Sequence, residues 1–385
     1  MTETAARRRW LRLPLALAAA SGAVAGSGVS SAAGSAAGSA SGSTVSSASG
    51  STVSSAWGST VSSAAGPAAS SEAGHAAPPV QAAPQPLAFT VIGDTPYSHL
   101  EERTLTQVLA AQEADVAFVL HLGDLKSGWE SCSDDLLRRR HALLRASPRP
   151  VFFVPGDNEW VDCIRAPAGG FDPLDRLALL RRLFHEAPPP PRAGFDAFER
   201  QSQTPGSPPF PEHARWLQQG VAFLTVNLPG SRNATSNDTR LQQANAQRMI
   251  AVRQWLAQAP AWAQARQARA LVVASHANPG FERDPADRPP IAPHDPDDAY
   301  AGWRAGLREL ARVCPLPILL LHGDTHSFQI DQPLRDAAGR RIRQLTRVEC
   351  FGTPRSAAWV RVSVPPTEPA RFVITARQLA VESKY

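Results

Sequence analysis

The sequence is poor in several residue types that often announce a function. Its 385 residues include four cysteines, three tyrosines, two methionines and two lysines. Four cysteines without a C-x-x-C pair exclude a disulfide-dense miniature scaffold and a structural zinc ribbon. Because 37 of the 39 basic residues are arginines dispersed among carboxylates, no aromatic-interleaved basic run exists to follow a phosphate backbone. The formal charge of +5 is also local: residues 1–25 hold four arginines against one glutamate, leaving +2 for the rest. Nucleic acid is therefore not an expected partner. There is no sustained heptad pattern and no long apolar span, which excludes a coiled coil and a polytopic membrane protein. A G-x-S-x-G nucleophile elbow is missing too, so an α/β-hydrolase serine site is not expected.

Large aliphatic residues are scarce over 21–86, where serine, alanine, glycine and then proline dominate. Such a stretch cannot bury enough apolar surface to offset its ordering entropy. It contains the eight-residue unit SGSTVSSA at 41–48, repeated unchanged at 49–56 and with Trp57 leading at 57–64. Without a hydrophobic face the repeat builds no solenoid and reads as a spacer. Ahead of it, Arg7, Arg8, Arg9 and Arg12 surround or precede an apolar stretch at 13–25 that is too short and alanine-rich to span a bilayer. A basic region, a short apolar region and small residues at 23–25 read as an export signal similar to the twin-arginine type. The expected organisation is an export signal at 1–26, a low-complexity linker at 27–86 and one folded domain at 87–385. That domain is expected in the periplasm or secreted, with no membrane span once the signal is removed.

From Leu87 onward, short apolar runs alternate with amphipathic segments. Strands are predicted at 87–92, 116–122, 151–154, 221–226, 271–275 and 318–322, and helices near 100–112, 134–145, 174–184, 242–259 and 300–312. The tail, at 328–330, 341–350, 358–364 and 370–375, reads as successive antiparallel strands. Continuous apolar strands alternating with helices predict an α/β fold with a mixed sheet system covered on both faces. The Pro-rich segments 166–211 and 281–298 read as irregular loops lining a cleft.

What closes the apolar runs is informative. Gly93-Asp94, Gly123-Asp124 and Gly156-Asp157 close the first three, while His276 and Gly323-Asp324-Thr325-His326 close two later ones. Open α/β sheets collect chemistry beyond the carboxyl ends of their strands. One Gly-Asp pair is an ordinary turn. Four of them and a histidine, each directly after a strand-like run, gather carboxylates that repel one another unless a cation sits between them. Hard oxygen ligands with imidazoles suit Mn, Fe, Zn or Mg, and a carboxylate-rich set suits a pair of divalent ions.

In order and spacing this set resembles the calcineurin-like metallophosphoesterases, whose pattern runs D-x-H, G-D, G-N-H-[DE], H and G-H-x-H on successive strand ends. The resemblance covers residues 89–328. It implies a calcineurin-like phosphoesterase fold, a mixed β-sandwich flanked by helices in αββα layers, and hydrolysis of a phosphate ester at two divalent metal ions. Asp94 stands at the first aspartate, Asp124 at the aspartate shared by both metals, His276 at the lone histidine and His326 at the last. The chain departs from the pattern at four places. Pro96 replaces the D-x-H histidine, Asp157 the metal-binding asparagine, Asn158 the catalytic histidine and Asp324 the first histidine of the last motif. The implied ligands are then Asp94, Asp124, Asp157, His276, Asp324 and His326, an oxygen-rich set that shifts preference from Zn toward Mn, Fe or Mg. Asn158 is implied to donate to the phosphate, with Asp124 catalytic through the metals, and Lys126 is a second candidate phosphate contact. The expected substrate is a small-molecule or lipid phosphate ester. The departures also admit an alternative: a catalytically silent relative that binds a phosphorylated or cell-envelope ligand.

Three secondary candidates follow from position. Glu159 would orient Asn158 or open a helix, His322 would pack at a strand end, and Asn227 would line the cleft. Four cysteines allow three pairings. Cys132 and Cys163 lie on loops leaving neighbouring strand ends and are expected to bridge beside the site, leaving Cys314 to pair with Cys350.

Overall fold

The computed structural model describes residues 85–186, 194–206, 209–283, 298–367 and 369–380. The expected export signal, the linker up to residue 84 and parts of the two Pro-rich loops lie outside the described residues. In chain order the elements are β1 (Leu87–Ile92), α1 (His99–Ala110), β2 (Val116–His121), α2 (Asp134–Arg145), β3 (Val151–Phe153), α3 (Pro173–Leu180), β4 (Ala197–Arg200), β5 (Ala214–Gln218) and β6 (Val221–Thr225). They continue with the short turn α4 (Gly230–Ala234), α5 (Thr239–Ala265), β7 (Ala270–Ala274), α6 (Ala301–Val313), β8 (Ile318–His322), β9 (Gln329–Asp331), β10 (Leu345–Glu349), β11 (Ala358–Val364) and β12 (Val373–Gln378).

The helix starts follow local chemistry. Ser98 and Ser133 cap α1 and α2 by accepting from the Glu101 and Leu136 amides, and Asp172 caps α3 ahead of Pro173. Helix α5 is expected to end near Ala259, before Pro260, yet it runs on to Ala265. Buried Trp262 and Ala263 hold that extension against the sheet, so packing outweighs the proline's missing donor.

The strands form two mixed sheets, ordered β12-β11-β1-β2-β3 and β4-β5-β6-β7-β8-β10-β9. Strands β1, β2 and β3 are parallel, as are β6, β7, β8 and β10, so their carboxyl ends point the same way within each sheet. The tail departs from a run of successive antiparallel strands. Strand β10 pairs parallel with β8 in the second sheet, whereas β11 crosses to the first sheet and pairs antiparallel with β1. The pair β4–β5 was not expected: β4 falls within the segment 166–211 read as loop, and β5 lies just past it. Its cross-strand partners include Glu199 opposite Arg215, ion-paired at 2.7 Å, so a polar pair stabilises strands that lack an apolar run.

Three apolar layers explain the stacking. Phe89, Phe118, Trp216 and Phe223 fill the space between the sheets, with rings 5.0–5.4 Å apart for the pairs Trp216–Phe223 and Phe89–Phe118. Helices α1, α2 and α3 cover the outer face of the first sheet through Leu105, Leu137 and Leu177, while α5 and α6 cover the second through Trp255 and Trp303. The layers are therefore α, β, β, α, as expected. This stacking places the loops after β1, β2, β3, β7 and β8 at one edge of the sandwich. Their backbones interlock: the Asp94 amide donates to the Gly123 carbonyl at 3.0 Å, and the Gly323 amide to the His276 carbonyl at 2.9 Å.

Gly123 shows how tight that edge is. Its φ is +92°, and a Cβ there would lie 2.5 Å from the Gly156 nitrogen and 2.7 Å from His276 Nδ1. Replacing Gly123 by Ala should cost about 2–4 kcal/mol, read from a denaturant midpoint; a variant as stable as the parent contradicts the packing described.

Candidate metal centre

Six side chains sit at that edge: Asp94, Asp124, Asp157 and His276 follow β1, β2, β3 and β7, and Asp324 and His326 both follow β8. Four of them need unusual backbone. Asp94, Asp124, Asp324 and His326 have φ values of 51°, 55°, 84° and 60°, in the left-handed region where non-glycine residues are strained. Strain of this kind persists where the surroundings over-determine it, commonly at functional sites.

Asp124 is the hub. Its Oδ1 accepts from the Asp157 and Asn158 amides at 3.1 and 3.0 Å, and its Oδ2 accepts from Asn158 Nδ2 at 2.6 Å and the Tyr97 hydroxyl at 3.0 Å. His276 Nε2 faces Asp157 at 3.1 Å, Asp124 at 3.4 Å and Asp324 at 3.9 Å. The opposite nitrogen of that ring, Nδ1, contacts the Leu122 carbonyl at 2.7 Å, and His326 Nδ1 does the same with the Thr353 carbonyl at 2.7 Å. Each carbonyl accepts a hydrogen bond from Nδ1–H and so turns Nε2 toward the acidic groups, the orientation a metal ligand needs. Asp94 accepts from the Asp324 amide at 3.0 Å and has His326 Nε2 at 3.7 Å.

The donor set fits divalent cations. Ligand atoms of Asp94, Asp124 and His276 lie within 4.8 Å of one another, and so do those of Asp157, His276 and Asp324. The two groups overlap at His276, whose one Nε2 lone pair can serve a single cation; His326 stands beside the first. Gly230 brings bare backbone against the second group, since a Cβ there would meet Asp324 Oδ1 at 2.7 Å and Asp157 Oδ1 at 2.8 Å. Five oxygen or imidazole donors around two adjacent positions suit Mn, Fe, Mg or Zn better than a single soft site.

Electrostatics support the same reading. Burial pushes Asp94 up to about 7, with His276 and His326 opposing and Asp324 adding to it. Burial also raises Asp124 and Asp324, against the pull of His276 and with Asp157 adding to both. Asp157 behaves differently: against burial, the hydrogen bond and charge of His276 and the Ser231 hydroxyl hold it below the ordinary range. His276 is held well above its usual value despite burial, by Asp124 and by its bond to Asp157. A proton on Nε2 thus occupies the place a cation would take.

These shifts fix a pH dependence for the metal-free chain. Raised carboxyls stabilise the fold below about pH 4 and lose that contribution as pH climbs toward 7, and the raised His276 loses its own at still higher pH. Asp157, lowered, contributes above the usual carboxylate range and loses that only in strong acid. The chelated protein should therefore melt lower at pH 8 than at pH 5, by a few kcal/mol of stability, and added Mn should restore it at pH 8. Equal melting at both pH values, or no response to metal, contradicts the assignment.

Some expectations are corrected. Lys126 does not face the opening: its ammonium is buried and donates to the Asn158 and Ser127 carbonyls at 2.7 and 2.8 Å, holding the loop instead. Glu159 is a brace, accepting through Oε1 from the Gly156 amide and from the Asp124 amide at 3.3 Å. Asn227 is buried and donates to Glu212 at 3.1 Å, and His322 packs at the strand end as expected. Cys132 and Cys163 form the expected disulfide, with Cα atoms 5.6 Å apart. Cys314 and Cys350 do not pair. Cys314 precedes β8 and Cys350 follows the parallel β10, so a strand's length of about 3.3 Å per residue separates them, beyond the reach of a bridge.

Two contributors were missed. Tyr97, one residue past Pro96, puts its hydroxyl within 3.2 Å of His326 Nε2 and 3.3 Å of Asn158 Nδ2. Ser231 donates to Asp157 at 2.6 Å and Asp162 at 2.7 Å from a turn in which residues 231–234 all have φ between 46° and 59°. Only Gly230, ahead of that turn, hinted at unusual backbone.

No protein-family model and no curated protein matches the sequence. Among solved structures, the chain is similar to a dimetal phosphatase from Danio rerio, at 15% identity, covering 76% of this chain and 96% of that one with a TM-score of 0.42. It is also similar to PhoD, at 12% identity over 77% of this chain and 72% of that one, with a TM-score of 0.46. A third similar structure is a purple acid phosphatase from yellow lupin seeds, at 11% identity over 76% of this chain and 52% of that one, with a TM-score of 0.40.

Proposed function

We propose that the chain is an exported, metal-dependent phosphoesterase. The observation that carries this reading is the convergence of Asp94, Asp124, Asp157, His276 and Asp324 at the carboxyl ends of strands from both sheets. Asp157, His276 and Asp324 would hold one cation, and Asp94, Asp124 and His326 the other, since the single Nε2 lone pair of His276 serves one cation only. When bound, the cations supply Lewis-acid neutralisation of the ester's phosphate charge.

The chain's own groups do the rest. Asp324 and His326 have side chains 24% and 29% exposed, so the substrate reaches the cluster from their side. Asn158 and Tyr97 place two neutral donors beside Asp124, suited to phosphate oxygens. Burial, and then the nearby carboxylates, keep the Tyr97 phenol protonated, so it remains a donor across the working range. Glu159 fixes the Gly156 turn that carries Asp157 and Asn158. Export is supported by the buried disulfide, which suits an oxidising compartment, and among the described residues no helix is long and apolar enough to cross a membrane.

The test is phosphate release from an aryl phosphate by chelator-treated protein given Mn, Fe, Zn or Mg in turn. Release restored by at least one metal supports the reading. Bound metal with no turnover on any monoester or diester favours a silent binding module instead.

A further inference from the structure

A cavity of about 380 Å³ lies beside the cluster, with Ser231 between the two. One wall is the segment after β3, where Trp160, Ile164 and Arg165 lie close to the Cys132–Cys163 bridge; the other is the left-handed turn carrying Ser231. Pro173, Leu241, Val161 and Ala234 supply the rest of the apolar lining, and Asp162, Arg232, Thr235 and Ser236 add polar groups to it. Ser231 is the partition, lining the cavity while donating to the candidate ligand Asp157. Arg165 closes the same border: its guanidinium donates to Ser231 at 3.2 Å and pairs with Asp162 at 2.7 Å. A Cβ on Gly128 would lie 3.0 Å from Asn158 Oδ1 and 3.7 Å from Arg165 Nη1, so both side chains flank Gly128. Ile164, which lines the cavity, is 56% exposed.

We propose that this cavity takes the organic group of the substrate, and that the substrate is a phosphate ester of an aryl or similarly apolar alcohol. The assignment rests on the phosphoesterase reading. Its volume exceeds the roughly 150 Å³ in which a buried apolar cavity can hold a benzene-sized guest. Its lining would remove an aryl ring from water, while Arg165 marks where apolar surface gives way to a group that suits the phosphate. Strain in the Ser231 turn is accounted for by the same role, because that turn both shapes the cavity and contacts a ligand.

The experiment is calorimetric binding of phenylphosphonate and methylphosphonate to the metal-loaded full chain. Phenylphosphonate should bind about tenfold tighter or more, from the added ring burial. Ile164→Asp, which removes no ligand atom and sits at an exposed position, should keep the metal and bring the ratio near one, whereas Ile164→Phe should preserve it. Equal affinities in the wild type, or a preference that survives Ile164→Asp, overturn the cavity assignment alone. Failure of both phosphonates to bind the metal-loaded protein overturns the phosphoesterase reading, and the cavity assignment with it.

Discussion

Replacing Asp124 by asparagine should abolish metal-dependent phosphoester hydrolysis, a loss on the order of 10³-fold or more. Asp124 lies at the centre of the site: two backbone amides, Asn158 and Tyr97 donate to it, and His276 Nε2 stands 3.4 Å away. Asparagine keeps the shape and the carbonyl that accepts from the Asp157 and Asn158 amides. It removes one negative charge from the cluster and one of the two ligand oxygens. The fold should survive. Burial already disfavours the Asp124 charge, so the metal-free variant should melt no lower than the parent at pH 8. Activity and stability thus move apart, which separates a lost site from a lost fold. Retained activity, checked by phosphate release under saturating Mn, would sink the proposed role.

The second large effect concerns the bridge. Replacing Cys132 and Cys163 together by serine opens a loop of 31 residues, and the chain-entropy relation puts the stabilisation of such a closure at about 3–4 kcal/mol. Both cysteines are fully buried against Ala168 and Phe171, so serine hydroxyls would also lose apolar packing. The consequence reaches the site. Both sulfurs lie against the Asn158 carbonyl, at 3.5 and 3.6 Å, and Cys163 follows Asp162, which shares the Ser231 hydroxyl with Asp157. The double variant should therefore melt lower and bind metal more weakly. A midpoint shift under about 1 kcal/mol, by denaturant titration, would contradict the structural role given to the bridge.

Much of this was legible in the sequence, and the reasons differ from element to element. Strand β1 and helix α2 run over the predicted residues because each has a local signature: an unbroken apolar run in one, and Ser133 capping an amphipathic segment in the other. The convergence of the candidate ligands at one edge was readable because each Gly-Asp or His step follows an apolar run directly, and strand ends are where an α/β sheet presents side chains. The pairing of β10 with β8 and of β11 with β1 was not readable, since it depends on contacts between distant segments. The same holds for β4 and β5, whose stability comes from the Glu199–Arg215 pair across strands rather than from either run alone. Tyr97 and Ser231 escaped for another reason: a hydroxyl side chain carries no ligand spacing, and only the folded backbone brings it to a carboxylate. Lys126 misled because rarity drew attention to it, while its burial is a property of the loop it braces.

The convergence of Asp94, Asp124, Asp157, His276 and Asp324 gives the central claim its most direct measurement. Calorimetric titration of Mn into chelator-stripped protein should show binding in the wild type, weakening of one component in Asp324→Asn, and loss of that component in His276→Ala. Wild-type binding of Mn by His276→Ala would contradict the account.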